Sequence, residues 1–323
     1  MPKVIVFSTG GTIAMKPDPA GAGVVPAVSG EDLVKAVPGL ADLCAIEVRE
    51  FSNIPSCQMT PQRMFELAGR VSEAQAEADV CGVVVTHGTD TVEESAYLLD
   101  VTYSAEKPVV FTAALRAAAD ISADGPKNIL CAVKTALAEE ARGLGSLVVL
   151  NEQIHAACEV TKTHAVNPAA FASPWWGPLG YVDEDRVIIA RRPAQRRHFC
   201  PHALGGEVYL LKMYAGCDTL LLDTLVDRNV AGIVVEGFGR GNVPPDVQQS
   251  MFRAVDQHIP VVLTTRCGAG RTHDAYGYEG GGKLSREHGI ILAGDISGQK
   301  ARLRLMLALG MTSDLEELRT YFS

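Results

Sequence analysis

Two short stretches of this chain set hydroxyl side chains against glycines. Thr9-Gly10-Gly11-Thr12 stands one residue behind the apolar run Val4–Phe7, and His87-Gly88-Thr89-Asp90-Thr91 directly behind Cys81–Thr86. Glycine lets a backbone turn sharply, come close and aim its amides at a developing anion. A threonine hydroxyl can be a nucleophile, but a weak one until a base takes its proton. The base can be His87, or His87 can be a packed residue at a strand end. A third stretch, "VTKTH" at 160–164, offers Lys162 between two threonines. A buried lysine gives up its proton more easily than a solvated one and can then accept one from a hydroxyl. The competing reading of Lys162 is a solvated side chain, and that of Thr9–Thr12 an ordinary strand-to-helix turn. Thr9–Thr12 does not match the dinucleotide pattern G-x-G-x-x-G, so no Rossmann cofactor is expected.

These residues need strands to hold them. Continuous apolar runs at Val4–Phe7, Cys81–Thr86, Pro108–Thr112, Ser146–Leu150, Val208–Leu211, Ala231–Val235 and Pro260–Thr264 fit parallel strands covered on both faces. Helical patterns lie between them, at Thr91–Tyr103, Pro126–Arg142 and Asp246–Gln257. Thr91 reads as an N-cap, with Glu93 and Glu94 suiting the first turn of its helix. Ser313 with Glu316 reads as the capping box of the last helix. Alternation of strand and helix implies an α/β fold, with a larger doubly wound parallel-sheet domain over 1–190. Arg191–Gly206, with two prolines and two glycines, reads as a linker, and 207–323 as a smaller C-terminal α/β domain. In such sheets ligands sit where loops leave the carboxyl ends of strands, which is where both threonine stretches fall.

Composition narrows the function. The 323 residues are 47% hydrophobic, enough for a sizeable core. A net charge of −9, from 29 basic and 38 acidic residues, argues against nucleic acid or an anionic membrane as partner. Lys3–Phe7 is too short for a signal-peptide core, and no run approaches the roughly 20 apolar residues that span a bilayer. Eight cysteines stand singly with no C-x-x-C pair, the usage of a reduced, cytoplasmic protein. "GYEGGGK" at 277–283 nearly matches a P-loop but is followed by Leu284, with no apolar strand leading in. "HFCPH" brings His198, Cys200 and His202 together without a fourth ligand, so no metal site is expected. Arg191, Arg192, Arg196 and Arg197 read as a solvated linker face.

"TGGTIA" at 9–14 with "THGTDT" at 86–91 resembles the bacterial-type L-asparaginases, the asparaginase/glutaminase family of amidohydrolases. The resemblance runs on through "SADGPKN" (122–128), "VTKT" (160–163), "GPLGYV" (177–182) and "GRGN" (239–242), over essentially the whole chain. The later stretches look closer to the cytoplasmic branch. The resemblance implies Thr12 as nucleophile through an acyl-enzyme, with Thr89, Lys162 and Asp90 as a proton-transfer group. Asp90 also matches the holder of the substrate ammonium, and Ser56 that of its α-carboxylate. Gly11, Gly88, Cys57 and Ala114 belong to the same substrate site, with amides near Gly11 and Thr89 as the oxyanion hole. Asn242 matches an asparagine that reaches toward a neighbouring subunit's site. A homodimer or homotetramer with a site near the subunit interface is implied, acting on a small-molecule amide, with no metal or organic cofactor.

Two departures stand out. The family's mobile loop carries a tyrosine, whereas the first tyrosine here is Tyr97 and Gly23 takes the loop position. Tyr276 or Tyr278 could stand in. After Ser56 comes Cys57, with Gln58 one place on, where the exported branch has glutamine directly; thiols are weak hydrogen-bond partners. Glu279 is the candidate for an acidic residue lent by a neighbour. The expected function is hydrolysis of the L-asparagine side-chain amide. The alternatives are the same chemistry on another small amide or imide, and a non-catalytic amino-acid-binding protein.

Overall fold

In a computed structural model the chain divides into two units, Met1–His198 and Phe199–Ser323. The structure describes residues 1–18, 21, 23–102, 104, 106–193 and 198–322. The first unit opens with β1 (Lys3–Gly10), a 3-10 turn at Thr12–Ala14 and a small hairpin of β2 (Met15–Pro17) and β3 (Val24–Pro26). Helices α1 (Gly30–Lys35) and α2 (Leu40–Leu43) lead to β4 (Ala45–Ile54). Then α3 (Pro61–Gln75), β5 (Val80–Thr86), α4 (Val92–Thr102), β6 (Val109–Thr112), α5 (Gly125–Leu137) and β7 (Ser146–Leu150) alternate. Five further strands close the sheet and form a second hairpin: β8 (Gln153–Ala156), β9 (Thr161–Lys162) with β10 (Phe171–Ala172), β11 (Gly180–Asp183) and β12 (Arg186–Ile189).

The main sheet has eight strands in the order β12-β11-β8-β7-β6-β5-β1-β4. From β7 to β4 every pair is parallel; β8, β11 and β12 are added antiparallel. The expected parallel sheet is therefore present and carries an antiparallel flank. β11 alternates buried and exposed residues, the signature of a strand wet on one face, and so differs from the continuous runs of the parallel strands. Strand β4 also lies at an edge: its Glu47 and Arg49 join Lys3 and Glu77 in ion pairs, and this polar alternation hides it from a search for continuous apolar runs.

Packing explains the parallel strands. Val4, Val6, Val84, Val110, Leu147 and Val149 form one core with Ile129 and Val133 of α5. The alternate residues Ile5, Phe7, Val83, Val85 and Phe111 are buried as well, on the face that carries α3 and α4. The strand order turns back at β1, because β4 lies on one side of it and β5 on the other. The carboxyl end of β1 is thus a topological switch point, the usual place for a ligand in an open α/β sheet.

The second unit is a parallel sheet of β13 (Val208–Lys212), β14 (Gly232–Gly237), β15 (Val261–Thr265) and β16 (Ile291–Leu292). Its helices are α6 (Leu220–Asp227), α7 (Pro245–Asp256), α8 (Gly282–Glu287), α9 (Gly298–Leu309) and α10 (Leu315–Thr320). Met213, Leu222, Ile233, Val235, Val247, Met251 and Leu263 make its core.

The expected linker behaves differently at its start. Arg191 is half-buried and binds Glu159, so it is not part of a solvated face, whereas Arg192 is exposed as expected and donates to the carbonyls of Arg142 and Glu140. Residues 194–197, with Arg196 and Arg197, lie outside the described residues. The cap of α10 is also corrected. Asp314, not Ser313, is the N-cap, and its Oδ1 accepts from the amides of Glu316 and Glu317 at 2.8 and 2.9 Å. Asp314→Ala should cost about 1 kcal/mol in chemical denaturation, as N-cap removal does. Ser313→Ala should stay within about 0.5 kcal/mol, as surface substitutions do.

Candidate active site

Three chain segments meet at the carboxyl ends of β1, β4 and β5. Gly11 has φ 82°, in the left-handed region, and its amide donates to Ile54 O at 3.0 Å. A Cβ on Gly11 would lie inside the backbone of Gly88. A Cβ on Gly88 would stand 2.6 Å from Ser56 Oγ. The glycines are what let the 10–12, 54–58 and 87–90 segments touch. Hydroxyls tie the same junction. Ser52 donates to Thr9 O, Thr9 to Thr86 O, and Thr91 to Ser56 O at 2.8 Å. The Thr91 hydroxyl, expected to cap a helix, fastens the Ser56 turn to the start of α4.

Ser56 is buried in a short 3-10 turn, and its Oγ accepts from the Asp90 amide at 3.2 Å. Cys57 beside it is exposed. Thr12 begins the 3-10 turn behind Gly11 and is half-buried; its hydroxyl makes no hydrogen bond among the described residues. Ala114 is fully buried in the turn after β6. That turn is braced by Asp124, whose carboxylate accepts from the amides of Leu115 and Arg116, and by Asn128, which donates to Ala113 O. Gly125 lets the turn close: its Cβ would be 3.0 Å from Ile13 and 3.6 Å from Ala114. The "SADGPKN" stretch thus supports this turn and the residue after Thr12.

Lys162 comes from β9, more than seventy residues downstream in the chain. Its Nζ donates to Thr89 Oγ1 and to Asp90 Oδ1, both at 2.9 Å. Its side chain is 17% exposed, so the solvated reading of Lys162 fails; Asp90 is 62% exposed and opens to solvent. Because Lys162 fills an oxygen lone pair of Thr89, the Thr89 hydroxyl proton must point elsewhere. Sequence reasoning placed Glu93 in a helix-dipole role only. It is buried, and its Oε1 accepts from the Lys162 amide at 3.4 Å, binding the strand of the lysine to the helix behind Asp90. A glutamate two residues beyond Thr91, on the inner face of an apolar helix, is the signal that could have shown this.

His87 is not the base. It is completely buried, with its ring against Phe111. Nδ1 donates to Gly88 O at 2.8 Å, which leaves Nε2 to accept from Ser95 Oγ at 2.9 Å. Burial pushes its pKa down to about 4. A neutral ring locked at both nitrogens shapes the loop rather than moving protons.

Asn242, Tyr276, Tyr278 and Glu279 lie in the second unit. Asn242 closes the tight turn after β14, bridged to Phe238, and its Oδ1 is buried with no hydrogen-bond partner among the described residues. Tyr276 and Tyr278 are exposed, with rings 5.5 Å apart. Among the described residues no three His, Cys, Asp or Glu side chains gather as a metal site would, and no helix is long and apolar enough to cross a membrane.

The chain as a whole is similar to known proteins. A model described as "Asparaginase, N-terminal" matches residues 3–195, and one described as "Glutaminase/Asparaginase C-terminal domain" matches 207–322. A probable L-asparaginase of Deinococcus radiodurans is 37% identical over 100% of this chain and 98% of its own length. L-asparaginase 2 of Escherichia coli is 35% identical over 100% of this chain and 93% of its own length. A solved structure of a probable cytoplasmic L-asparaginase from Campylobacter jejuni superposes with a TM-score of 0.90 at 34% identity, covering 100% of this chain and 99% of that one.

The His87 environment predicts a pH effect. The unfolded ring takes up a proton near its ordinary value of 6.5 and the folded ring only near 4. Between these values the unfolded chain holds the extra proton, so stability present above about pH 6.5 is lost as the pH falls toward 4, on the order of 3 kcal/mol in all. Denaturation of wild type and His87→Gln at about pH 7 and about pH 5 checks this: the wild type should lose more stability than the variant.

Proposed function

The chain belongs to the asparaginase family, and we propose that it hydrolyses the side-chain amide of L-asparagine to L-aspartate and ammonia through a threonine nucleophile. The observation that carries this reading is the Thr89–Lys162–Asp90 group, held against Ser56 at the switch point of the sheet. The amidohydrolase relatives, similar over the whole chain, support the substrate.

In this reading Ser56 receives the substrate α-carboxylate and the exposed Asp90 carboxylate receives its ammonium. Thr12 Oγ attacks the side-chain carbonyl carbon. The amide of Gly11 is committed to Ile54 O, so the oxyanion is assigned to the amides of Thr12 and Thr89. The C–N bond breaks, an aspartyl ester of Thr12 remains, and the proton lost by Thr12 leaves on the nitrogen as ammonia. Water then attacks the ester, giving aspartate and returning a proton to Thr12 Oγ. Thr89 and Lys162 relay these protons: Lys162 donates to the Thr89 oxygen, which directs the Thr89 hydrogen into the site. Asp90 Oδ1 accepts from the Lys162 amine and holds it beside Thr89. A homodimer or homotetramer with Asn242 turned to a neighbour's site, and a cytoplasmic location, complete the proposal; the family resemblance and the cytoplasmic title of the Campylobacter neighbour support them.

Ammonia release from L-Asn, D-Asn, L-Gln and a panel of small amides and imides tests the substrate. L-Asn should be turned over fastest; no turnover of L-Asn beside fast turnover of another amide would assign the site to that amide, with the exposed Cys57 as the place to look for the change. Thr12→Ala, Thr89→Val and Lys162→Met should each lower kcat/KM by about 100-fold or more. Full activity in any of them removes that residue from the mechanism.

A further inference from the structure

Lys162 stands on a strand two residues long. β9 pairs only with β10, and this two-stranded sheet is separate from the eight-stranded one. A hairpin of this size has little stability of its own. A catalytic amine must nevertheless be held within about 0.5 Å of its working position. Thr163 adds two bonds to Ala170 O, from its amide at 2.7 Å and its hydroxyl at 3.0 Å, but these lie within the hairpin and tie it to nothing else.

The Lys162 amide has one bond outside the hairpin, to Glu93, and the base of the hairpin is fixed by Arg191. This residue follows β12, and the amides of Ala190 and Arg191 both donate to Leu179 O, at 2.8 and 3.1 Å, so its backbone is anchored beside β11. Its guanidinium reaches both arms of the hairpin. Toward the arm that enters β9 it takes Glu159 with two nitrogens, Nη1 to Oε1 at 3.1 Å and Nη2 to Oε2. Toward the arm that leaves β10 it donates to Gly177 O with Nη2 and to Pro178 O with Nε at 3.1 Å. The side chains are 28% and 12% exposed, which limits screening of the pair by water. A bidentate arginine–carboxylate pair fixes direction as well as distance, which a lysine in its place would not. A second tie lies further along the outgoing arm, where the buried His155 Nδ1 meets Ser173 Oγ at 2.9 Å.

We infer that Arg191 and Glu159 are positioning residues for Lys162. They clamp the base of its hairpin to the antiparallel flank of the main sheet, and through it hold the amine between Thr89 and Asp90. The inference rests on the proposed role of Lys162 in amide hydrolysis. It also gives the antiparallel strands, which carry no expected site residue, a part in the chemistry.

The experiment compares Arg191→Ala and Arg191→Lys with wild type, with Arg192→Ala as the control, because among the described residues Arg192 binds the carbonyls of Arg142 and Glu140 and not the hairpin. Two readouts are taken on the full chain: ammonia release from L-asparagine, and the rate at which Lys162 is acetylated by acetic anhydride relative to the exposed Lys35, followed by peptide mass spectrometry. Arg191→Ala should lower kcat about tenfold while KM moves less than about threefold, as expected when a proton-transfer group is displaced and substrate contacts are kept. Arg191→Lys should fall between. Guanidinium chloride at about 50 mM should restore part of the loss in Arg191→Ala and none in Lys162→Met, since only the first lacks a guanidinium. Acetylation of Lys162 should change at least about threefold in Arg191→Ala and not in Arg192→Ala. If Arg191→Ala does not fold, Glu159→Gln is read in the same way. Wild-type kcat with unchanged Lys162 acetylation would overturn the inference, as would an unrescued loss that Arg192→Ala shares. If the wild type itself hydrolyses no amide, the functional reading fails and acetylation alone decides: a changed Lys162 rate upholds the clamp, and an unchanged one removes it.

Discussion

Everything at this site depends on backbone touching backbone. Gly11 packs on Gly88, and Gly88 packs on Ser56, at separations that no Cβ could enter. The contact is possible because β1 lies between β4 and β5 at the point where the strand order turns back. Three loops that would otherwise diverge are drawn into one junction, and each brings a different chemical group. The first brings Thr12, the second Ser56, the third Thr89 and Asp90. The hydroxyls of Thr9, Ser52 and Thr91 then donate to backbone carbonyls of the junction.

The fourth group arrives from elsewhere and needs its own support. Lys162 reaches Thr89 and Asp90 from a strand that is not part of the main sheet. Shared between a hydroxyl and a carboxylate, the amine has its donors directed and the Thr89 hydrogen turned outward. Glu93 ties the backbone of Lys162 to α4, and Arg191 ties the hairpin base to the flank of β11 and β12. The site thus combines a rigid part, set by the parallel strands, with a part whose precision comes from side-chain bonds to a short hairpin. His87, the imidazole nearest the threonines in sequence, is kept out of the chemistry by burial and by bonds at both ring nitrogens.

The parallel strands could be read from the chain because strands buried on both faces leave continuous apolar runs. β4 and the antiparallel flank could not, because strands wet on one face or at an edge mix polar residues into the same length. The two threonine loops were visible as glycine and hydroxyl clusters at strand ends, and local pattern was enough. Lys162 was a candidate only, since what makes it matter is its bond to a loop more than seventy residues away. Contacts between residues well apart in the chain likewise hid Glu93 and Arg191, and burial in the fold hid the neutral state of His87. The cap of the last helix was missed by one residue: Ser313 and Asp314 both suit an N-cap, and only backbone geometry separates them.

The most direct test of the account is to catch the intermediate. The protein is mixed with L-asparagine, quenched in acid within the first turnovers, and its peptides are read by mass spectrometry. The account predicts an aspartyl ester on the peptide at Thr12, absent from Thr12→Ala and absent from the peptide that carries Thr89. An ester on Thr89, or rapid ammonia release with no ester on either threonine, would contradict it.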